Sequence, residues 1–333
     1  IMRATILLVV CFIVRPALFA QDELYTESQL QGMKQRYAEW QNQSPDLSMT
    51  VEFDPAPQAL DMPHPRFSWI FQLKGRGRKQ SAFQILVAGS VQKLQADEGD
   101  CWNSGWVTSD QSSLVYYAGK PLQSNTSYYW KVRIRDEAGK TQPFSKVAEF
   151  RTALMKQSDW AAGWIGRGAT DEIESDVSAF VNHTVSAAVQ RIQPDPRSPI
   201  FRNEFSISKK VKHASIFIAG LGLYELRLNG AKVGDHVLAV SRTDFRKRIL
   251  YDSYDVTNQL KSGQNAIGIV LGNGWFNGQK KYWGWQMQWY GSPRVIMQLE
   301  IEYEDGSKER IATNRHWKAA WSPITFNCLF DGE

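Results

Sequence analysis

The feature that most limits the fold of this chain is a two-residue alternation of apolar and polar side chains. It is clearest over residues 128–135. There the series Tyr128, Trp130, Val132 and Ile134 alternates with the series Tyr129, Lys131, Arg133 and Arg135. Successive side chains of a strand point to opposite faces, so this pattern predicts half-buried antiparallel strands. Turn clusters such as Gly75-Arg76-Gly77 separate the runs. We therefore predict an immunoglobulin- or fibronectin-III-like β-sandwich of about seven strands over residues 49–156.

The same alternation returns in the last third of the chain. Strand-like segments at Ala214 to Ala219, Leu223 to Leu228 and Ala266 to Leu271 are separated by turn residues, among them the hairpin signal Asn229-Gly230. These short strands predict a second all-β unit over residues 199–333, a galactose-binding-like jelly-roll sandwich that stops before its own C-terminal end. The polar, proline-containing stretch 157–198 is predicted to be a linker or excursion.

The first 48 residues predict export followed by a short helical arm. One arginine, an apolar run from Ala4 to Val14 and a small residue before Gln21 indicate a signal peptide over residues 1–20. The run is too short for a transmembrane helix, so no membrane span is expected. Residues 21–48 carry Leu30, Met33, Tyr37 and Trp40 at helical spacing and predict a short amphipathic helix. The protein is expected to be secreted or periplasmic.

Composition and motifs exclude several function classes. The net charge of +5 is spread along the 333 residues, which argues against nucleic acid as a partner. The sequence has no Gly-x-Ser-x-Gly elbow, no HExxH and no phosphate loop, and its five histidines lack metal-ligand spacing. Spacing alone selects no glycosidase pair among the carboxylates. We therefore predict no catalytic and no metal residue, and we predict Cys101 and Cys328 to be free and buried.

A tryptophan-rich segment from Gly272 to Tyr290 is the best candidate for ligand contact. Its rings, punctuated by glycines, suit an aromatic platform for a sugar face, with Asn273 and Asn277 as partners for sugar hydroxyls. The alternative is that the rings close one end of a sandwich or a seam between domains. The candidate platform consists of Trp275, Trp283, Trp285 and Trp289. A basic cluster from Arg242 to Arg248 either holds an acidic glycan or is a solvated loop.

Ordered short motifs in both halves resemble bacterial α-L-rhamnosidases. In the second unit they are Ala219-Gly220-Leu221-Gly222-Leu223-Tyr224, Val233-Gly234-Asp235, Thr243-Asp244-Phe245 and Leu271-Gly272-Asn273-Gly274-Trp275-Phe276. In the first unit they are Pro65-Arg66-Phe67-Ser68-Trp69, Trp102-Asn103-Ser104-Gly105 and Trp160-Ala161-Ala162-Gly163-Trp164. The chain departs from the family at Val240-Ser241-Arg242, where a tryptophan is replaced by arginine.

The resemblance implies an N-terminal accessory region of an inverting glycoside hydrolase. Such an enzyme removes terminal α-L-rhamnose from plant glycosides or polysaccharides, and its catalytic carboxylates lie on a later α/α barrel. This stretch is therefore expected to be catalytically silent, with a rhamnose-containing glycan and the C-terminal catalytic domain of the same polypeptide as its partners. No cofactor is required, but calcium is a candidate ligand, because Asn229, Asn273 and Asp235 supply hard oxygen donors. Asn229 is also one of the candidate carbohydrate-binding residues, and a hairpin turn is the other interpretation of this residue. The alternative function is a stand-alone carbohydrate-binding β-sandwich protein.

Overall fold

A computed structural model describes residues 47–71, 77–167, 197–277, 281–282, 285–286, 290–329 and 332. The predicted signal peptide and almost all of the predicted helical arm lie outside these residues, as does most of the stretch predicted to be a linker. Antiparallel sheets dominate the described part of the chain, and the predicted all-β class is confirmed.

The first unit is a sandwich of two antiparallel sheets. One has the strand order β1-β2-β6; the other has the order β4-β3-β7-β8, with β5 also paired to β3. The strands are β1 (Leu47–Val51), β2 (Arg66–Phe71), β3 (Gln80–Ala88), β4 (Trp102–Asn103), β5 (Val107–Thr108), β6 (Val115–Tyr116), β7 (Ser127–Asp136) and β8 (Ala148–Arg151).

Aromatic side chains fill the space between these two sheets. Phe67 packs edge-on against Trp130 and Phe150, with ring centroids 4.6 and 5.7 Å apart. Trp69 and Trp130 are 2% and 0% exposed, so two of the sequence's large rings form the core of this sandwich. One short helix, α1 (Val91–Gln95), was not predicted; Ser90 caps it by accepting the Lys93 N–H.

The second unit also has two main sheets, with orders β13-β12-β15-β10-β20 and β14-β11-β18-β19. A two-stranded ribbon, β16-β17, accompanies them. The strands are β9 (Ile165–Gly166), β10 (Pro199–Ile207), β11 (Val211–Leu221), β12 (Leu223–Leu228), β13 (Ala231–Lys232), β14 (Asp252–Asp255), β15 (Gly263–Gly272), β16 (Lys281–Tyr282), β17 (Trp285–Gln286), β18 (Arg294–Tyr303), β19 (Lys308–Ala312) and β20 (Lys318–Trp321).

Alternation explains the core of the second unit. On β15 the odd-numbered residues Ile267, Ile269 and Leu271 are 0% exposed, and they pack between the sheets. On β11 and β18 the alternation gives way to continuous runs that are buried on both faces and that include the polar residues Ser215 and Gln298. The outer face of these strands is therefore covered as well, and part of that cover comes from the first unit.

A seam joins the two units through polar and aromatic contacts. Gln298 on β18 is fully buried; its Oε1 accepts the Ala161 N–H at 2.8 Å, and its Nε2 donates to the Asp159 carbonyl at 3.0 Å. Tyr251 packs edge-on against Trp160 and donates to the Leu154 carbonyl at 2.9 Å. Strand β9 pairs with β18, so part of the stretch predicted as linker is a sheet strand.

Two smaller predictions can be compared directly with the structure. Both described cysteines are free, with Cys328 buried and Cys101 half-buried. Within the described ranges, no helix is long and apolar enough to cross a bilayer.

Candidate functional site

The main candidate site is an open cleft of about 500 Å³ at one end of the second sandwich. Its walls are the start of β12, the end of β15, the loop 236–238 and the segment 324–329; we call it the β12 cleft. Its named lining residues include Leu223, Tyr224, Glu225, Lys232, His236, Val237, Leu238, Leu271, Gly272, Gly274, Ile324 and Asn327. A cleft of this volume is within the range that holds a small molecule.

Two glycines permit the close backbone approach that shapes this cleft. Gly222 has φ of +112°, and a Cβ there would lie 2.4 Å from the Gly272 carbonyl oxygen. Gly234 has φ of +73°, and its Cβ would lie 2.2 Å from the Tyr254 ring. Only glycine therefore fits where β11 turns into β12 and where the loop after β13 crosses Tyr254.

A hydrogen-bonded cluster links the two sheets beside the cleft. Tyr224 on β12 donates to the Asp252 carboxylate on β14, and its hydroxyl lies 3.1 Å from that of Tyr254. The Tyr254 hydroxyl lies 3.2 Å from His236 Nδ1, which is 3.4 Å from Asp252 Oδ1. Burial raises the pKa of Tyr224 far above its ordinary value and also raises that of Tyr254. Both phenols therefore stay protonated near neutral pH and act as neutral hydrogen-bonding groups.

The chemistry available in the β12 cleft is hydrogen bonding. Among the described residues that line it, Glu225 is the sole carboxylate, and it accepts from Arg227 at 2.7 Å. Inverting glycoside hydrolysis needs an acid and a base carboxyl roughly 6.5–9.5 Å apart with room for water. The described lining mixes apolar side chains with a few polar ones, and it contains no second carboxylate to complete such a pair.

The two asparagines predicted to meet sugar hydroxyls lie beneath the cleft. Asn273 and Asn277 are 2% and 1% exposed. The Asn273 amide donates to the Asn327 carbonyl at 2.9 Å, and its Oδ1 accepts from Asn277 Nδ2 at 2.8 Å. The pair therefore attaches the segment after β15 to residues 324–329 of the cleft wall. Direct sugar contact by these two side chains remains a prediction.

Trp275 is the platform tryptophan whose side chain is described. It is half-buried, and the Arg242 guanidinium lies 4.5 Å from its ring centroid. Next to it, Phe276 and Tyr290 stack at 5.6 Å, and Phe245 meets both rings edge-on at 5.4 Å. The structure therefore brings together the tryptophan-rich segment and the basic cluster 242–248. Trp283 and Trp289 lie outside the described residues, and Trp285 is described only as part of β17.

Asn229 occupies a hairpin turn at the opposite end of β12. Its φ of 54° is left-handed, its amide donates to the Gln259 carbonyl and Asn265 Oδ1, and its Oδ1 accepts the Ala266 N–H at 3.0 Å. Register pairs Leu223 with Gly272 and Leu228 with Ile267, so five residues, roughly 17 Å of strand, separate the two ends. The structure therefore does not bring Asn229 and Asn273 together.

Asn229 and Asn273, two of the calcium ligands suggested by the sequence, lie at opposite ends of β12, and calcium binding in this unit remains a prediction. The side-chain oxygens of Asn229 and Asn273 both accept hydrogen bonds from neighbouring N–H groups. In the described ranges, no group of three or more His, Cys, Asp or Glu side chains is arranged to hold a metal ion.

Sequence reasoning missed the cluster of Tyr224, His236, Asp252 and Tyr254. Asp252 is one of many carboxylates in the sequence, and nothing in its spacing selects it. Tyr224 and Asp252 are on different sheets and 28 residues apart, and only the closure of the sandwich places them together.

The described fold is a tandem of two antiparallel β-sandwiches, the second with an open cleft at one end. Residues 47–156 match the family described as "Rha78A-like, N-terminal immunoglobulin domain". Residues 209–333 match the family described as "Alpha-L-rhamnosidase N-terminal domain". The chain therefore carries the two N-terminal domains of the α-L-rhamnosidase family.

Relatives and solved structures agree with this assignment. An α-L-rhamnosidase of Formosa agariphila is 38% identical over 301 residues, which are 86% of this chain and 31% of the relative. The α-L-rhamnosidase structure from Dictyoglumus thermophilum has a TM-score of 0.72 at 36% identity, covering 86% of this chain and 30% of that one. The Streptomyces avermitilis α-L-rhamnosidase complexed with L-rhamnose has a TM-score of 0.73 at 26% identity, covering 86% and 42%. The chain thus spans about a third of the length of the relatives that it matches.

Proposed function

We propose that this chain is the non-catalytic N-terminal region of an α-L-rhamnosidase that removes terminal α-L-rhamnose from plant glycosides or polysaccharides. The observation that carries the proposal is that both sandwiches match N-terminal domains of this family, while the chain spans 31% of a relative that is 38% identical. The catalytic carboxyl pair is supplied by the part of the polypeptide that corresponds to the remaining length of the relatives.

The activity of the whole protein is tested on the polypeptide extended to the length of its relatives. Aryl glycosides that differ only in the sugar report release of the chromophore. We expect hydrolysis of the α-L-rhamnoside and at least a hundredfold slower hydrolysis of the β-D-glucoside and β-D-galactoside. Equal rates on all three sugars, or no release from the rhamnoside by a folded polypeptide, would contradict the proposed substrate class.

The same proposal includes export. Its support is the sequence pattern of residues 1–20, a single arginine followed by an apolar run and a small residue. Expression with and without residues 1–20, followed by fractionation, tests it. We expect the protein in the periplasm or medium only when the segment is present.

A second candidate function is sugar binding by the second sandwich itself. The specific observation in its favour is the β12 cleft, with protonated tyrosine hydroxyls beside it and the half-buried Trp275 on the segment that follows β15. Isothermal titration of the chain with L-rhamnose, with and without calcium, measures it directly. Heat in either titration supports a binding module, and its absence in both leaves a scaffold role.

A matched pair of variants locates any binding that is observed. Trp275→Ala removes a tryptophan whose ring contacts an arginine in the second sandwich, and Trp106→Ala removes one that contacts Arg133 and Arg135 in the first. We expect Trp275→Ala to weaken rhamnose binding about tenfold, on the order of 1.4 kcal/mol, and Trp106→Ala to leave it unchanged. Equal effects would place the site elsewhere.

A further inference from the structure

A second cleft lies between the two sandwiches and differs in character from the β12 cleft. It has a volume of about 410 Å³, and both units line it; we call it the seam cleft. The first unit contributes Arg151 from the end of β8, and the second contributes Lys212 and Lys308. Three cationic side chains therefore face one space that neither unit forms alone.

Arg151 is an unusual residue because it is a buried cation with only neutral partners. It is 5% exposed. Its Nε donates to Asn125 Oδ1 at 3.1 Å, its Nη2 to the Asn125 carbonyl and Oδ1 at 3.0 and 2.9 Å, and its Nη1 to Ser127 Oγ at 2.9 Å. An arginine has five N–H donors, so these four contacts leave one donor without an acceptor among the described residues.

Burial without a paired anion makes Arg151 costly to keep charged. No ion pair joins the Arg151 guanidinium to a carboxylate within 4.0 Å among the described residues. Burial lowers the pKa of this group, while the more distant carboxylates of Glu302, Glu149 and Asp255 oppose that shift. Removing a cation from water is unfavourable unless an opposite charge and further hydrogen bonds compensate. An anion in the seam cleft would supply both.

The other charges of the seam cleft leave room for such an anion. The carboxylates that line it are Glu149 and Glu302, and Glu302 is already paired with Lys212 at 2.6 Å. Lys308 is exposed and has no ion pair within the described residues. With Arg151, Lys212 and Lys308 against two carboxylates, the lining has one positive charge in excess before His213 is counted.

Hydroxyl groups surround these charges. Thr126, Ser127 and Tyr129 line the same cleft, and Tyr129 keeps its proton because burial raises its pKa. A small inorganic ion would form hydrogen bonds with few of these hydroxyl groups. A sugar acid presents a carboxylate to the cations and, next to it, several ring hydroxyls to the hydroxyl groups of the cleft.

We propose that the seam cleft binds the carboxylate of a sugar acid, with Arg151 and Lys308 at the carboxylate and the hydroxyls of Thr126 and Tyr129 at the ring. The choice of a sugar rests on the proposed function, since a rhamnosidase meets polysaccharide substrates. The anion site itself rests only on the burial of Arg151 and the charge of the lining. This N-terminal region would then hold an acidic residue of the polysaccharide.

Isothermal titration of the 333-residue chain tests the proposal with three probes: D-glucuronate, D-glucose and acetate at matched ionic strength. We expect binding of glucuronate and at least tenfold weaker binding of glucose and of acetate. Absence of glucuronate binding overturns the anion site, and equal affinity for acetate overturns the assignment to a sugar. Rhamnoside hydrolysis by the extended polypeptide is measured separately, so either idea can fail without the other.

Variants separate a binding role from a structural one. Lys308→Gln removes an exposed charge at the seam cleft, and Lys318→Gln removes an equally exposed charge on β20 of the other sheet. We expect the dissociation constant for glucuronate to rise about fivefold in the first variant and to stay unchanged in the second. Arg151→Lys keeps the positive charge but loses the planar guanidinium. We expect it to weaken glucuronate binding at least tenfold in a variant whose unfolding curve matches that of the parent chain. Equal affinities in all three variants would overturn the site.

Discussion

At the residue scale, Asn229 shows how one side chain fixes a turn. Its left-handed φ of 54° suits asparagine or glycine, and its Oδ1 accepts the Ala266 N–H of the neighbouring strand. Asn229→Ala should lower the free energy of unfolding by about 2 kcal/mol, because it loses these hydrogen bonds and strains the backbone. Asn229→Gly should lower the free energy of unfolding by about 1 kcal/mol less than Asn229→Ala does, because glycine adopts the same φ without strain. Urea unfolding of both variants measures this, and an equal loss would contradict the role of φ.

His213 gives the molecule a pH dependence that belongs to the seam. Burial, followed by the nearby Arg151, lowers the pKa of His213 below its ordinary value of 6.5, and Asp255, Glu302 and Glu149 oppose this shift. The folded state therefore binds fewer protons than the unfolded state just below pH 6.5, so stability falls as the pH falls through this window.

Urea unfolding at pH 7.5 and pH 5.0 tests that direction. We expect a smaller difference between the two pH values in His213→Gln than in the parent chain. Carboxylates with lowered pKa, such as Glu52 and Asp305, lose their contribution only below about pH 4.5, outside this window. An unchanged difference in the variant would contradict the assignment to His213.

Candidate site residues could be predicted from sequence only where the decisive contact is local. The hairpin interpretation of Asn229 depends on its neighbour Gly230, and the structure shows that turn. The burial of Asn273 depends on Asn327, 54 residues away, and nothing in the residues around Asn273 indicates it. The cluster of Tyr224 with Asp252 likewise depends on two sheets closing on each other.

At the element scale, strand β18 carries the connection between the two units. Gln298 is fully buried there and bonds the Ala161 N–H and the Asp159 carbonyl of the connecting stretch. Gln298→Leu would leave both backbone groups unpaired, at a cost of about 3 kcal/mol in the free energy of unfolding. Gln264→Leu, an exposed site on β15, should change it by less than about 0.5 kcal/mol. Equal effects in denaturant unfolding would contradict the role of the seam.

Strands were predictable in this chain because alternation is a local signal. The series from Tyr128 to Arg135 lies in β7, and the strand-like segments 223–228 and 266–271 lie in β12 and β15. The two-residue strand β9 carries no period of its own, and its structure depends on pairing with β18. Helix α1 is five residues long and was missed for the same reason: a single turn shows too little periodicity.

At the scale of the whole molecule, the described chain consists of two β-sandwiches that are joined by the seam around Gln298. The count of two β-units follows from the sequence, because each has its own alternating runs. The contact between the two units does not follow from the sequence, because Gln298 lies 139 residues from Asp159 and 137 residues from Ala161. The seam cleft, which both units line, is for that reason absent from any prediction made from the sequence alone.

The most direct test of this account is the release of rhamnose from an aryl α-L-rhamnoside by the 333-residue chain, beside the polypeptide extended to the length of its relatives. The chain should fold, unfold cooperatively and release no rhamnose above the uncatalysed rate, while the extended polypeptide releases it. Release by the 333-residue chain that is lost when its own carboxylates are replaced by amides would contradict the account.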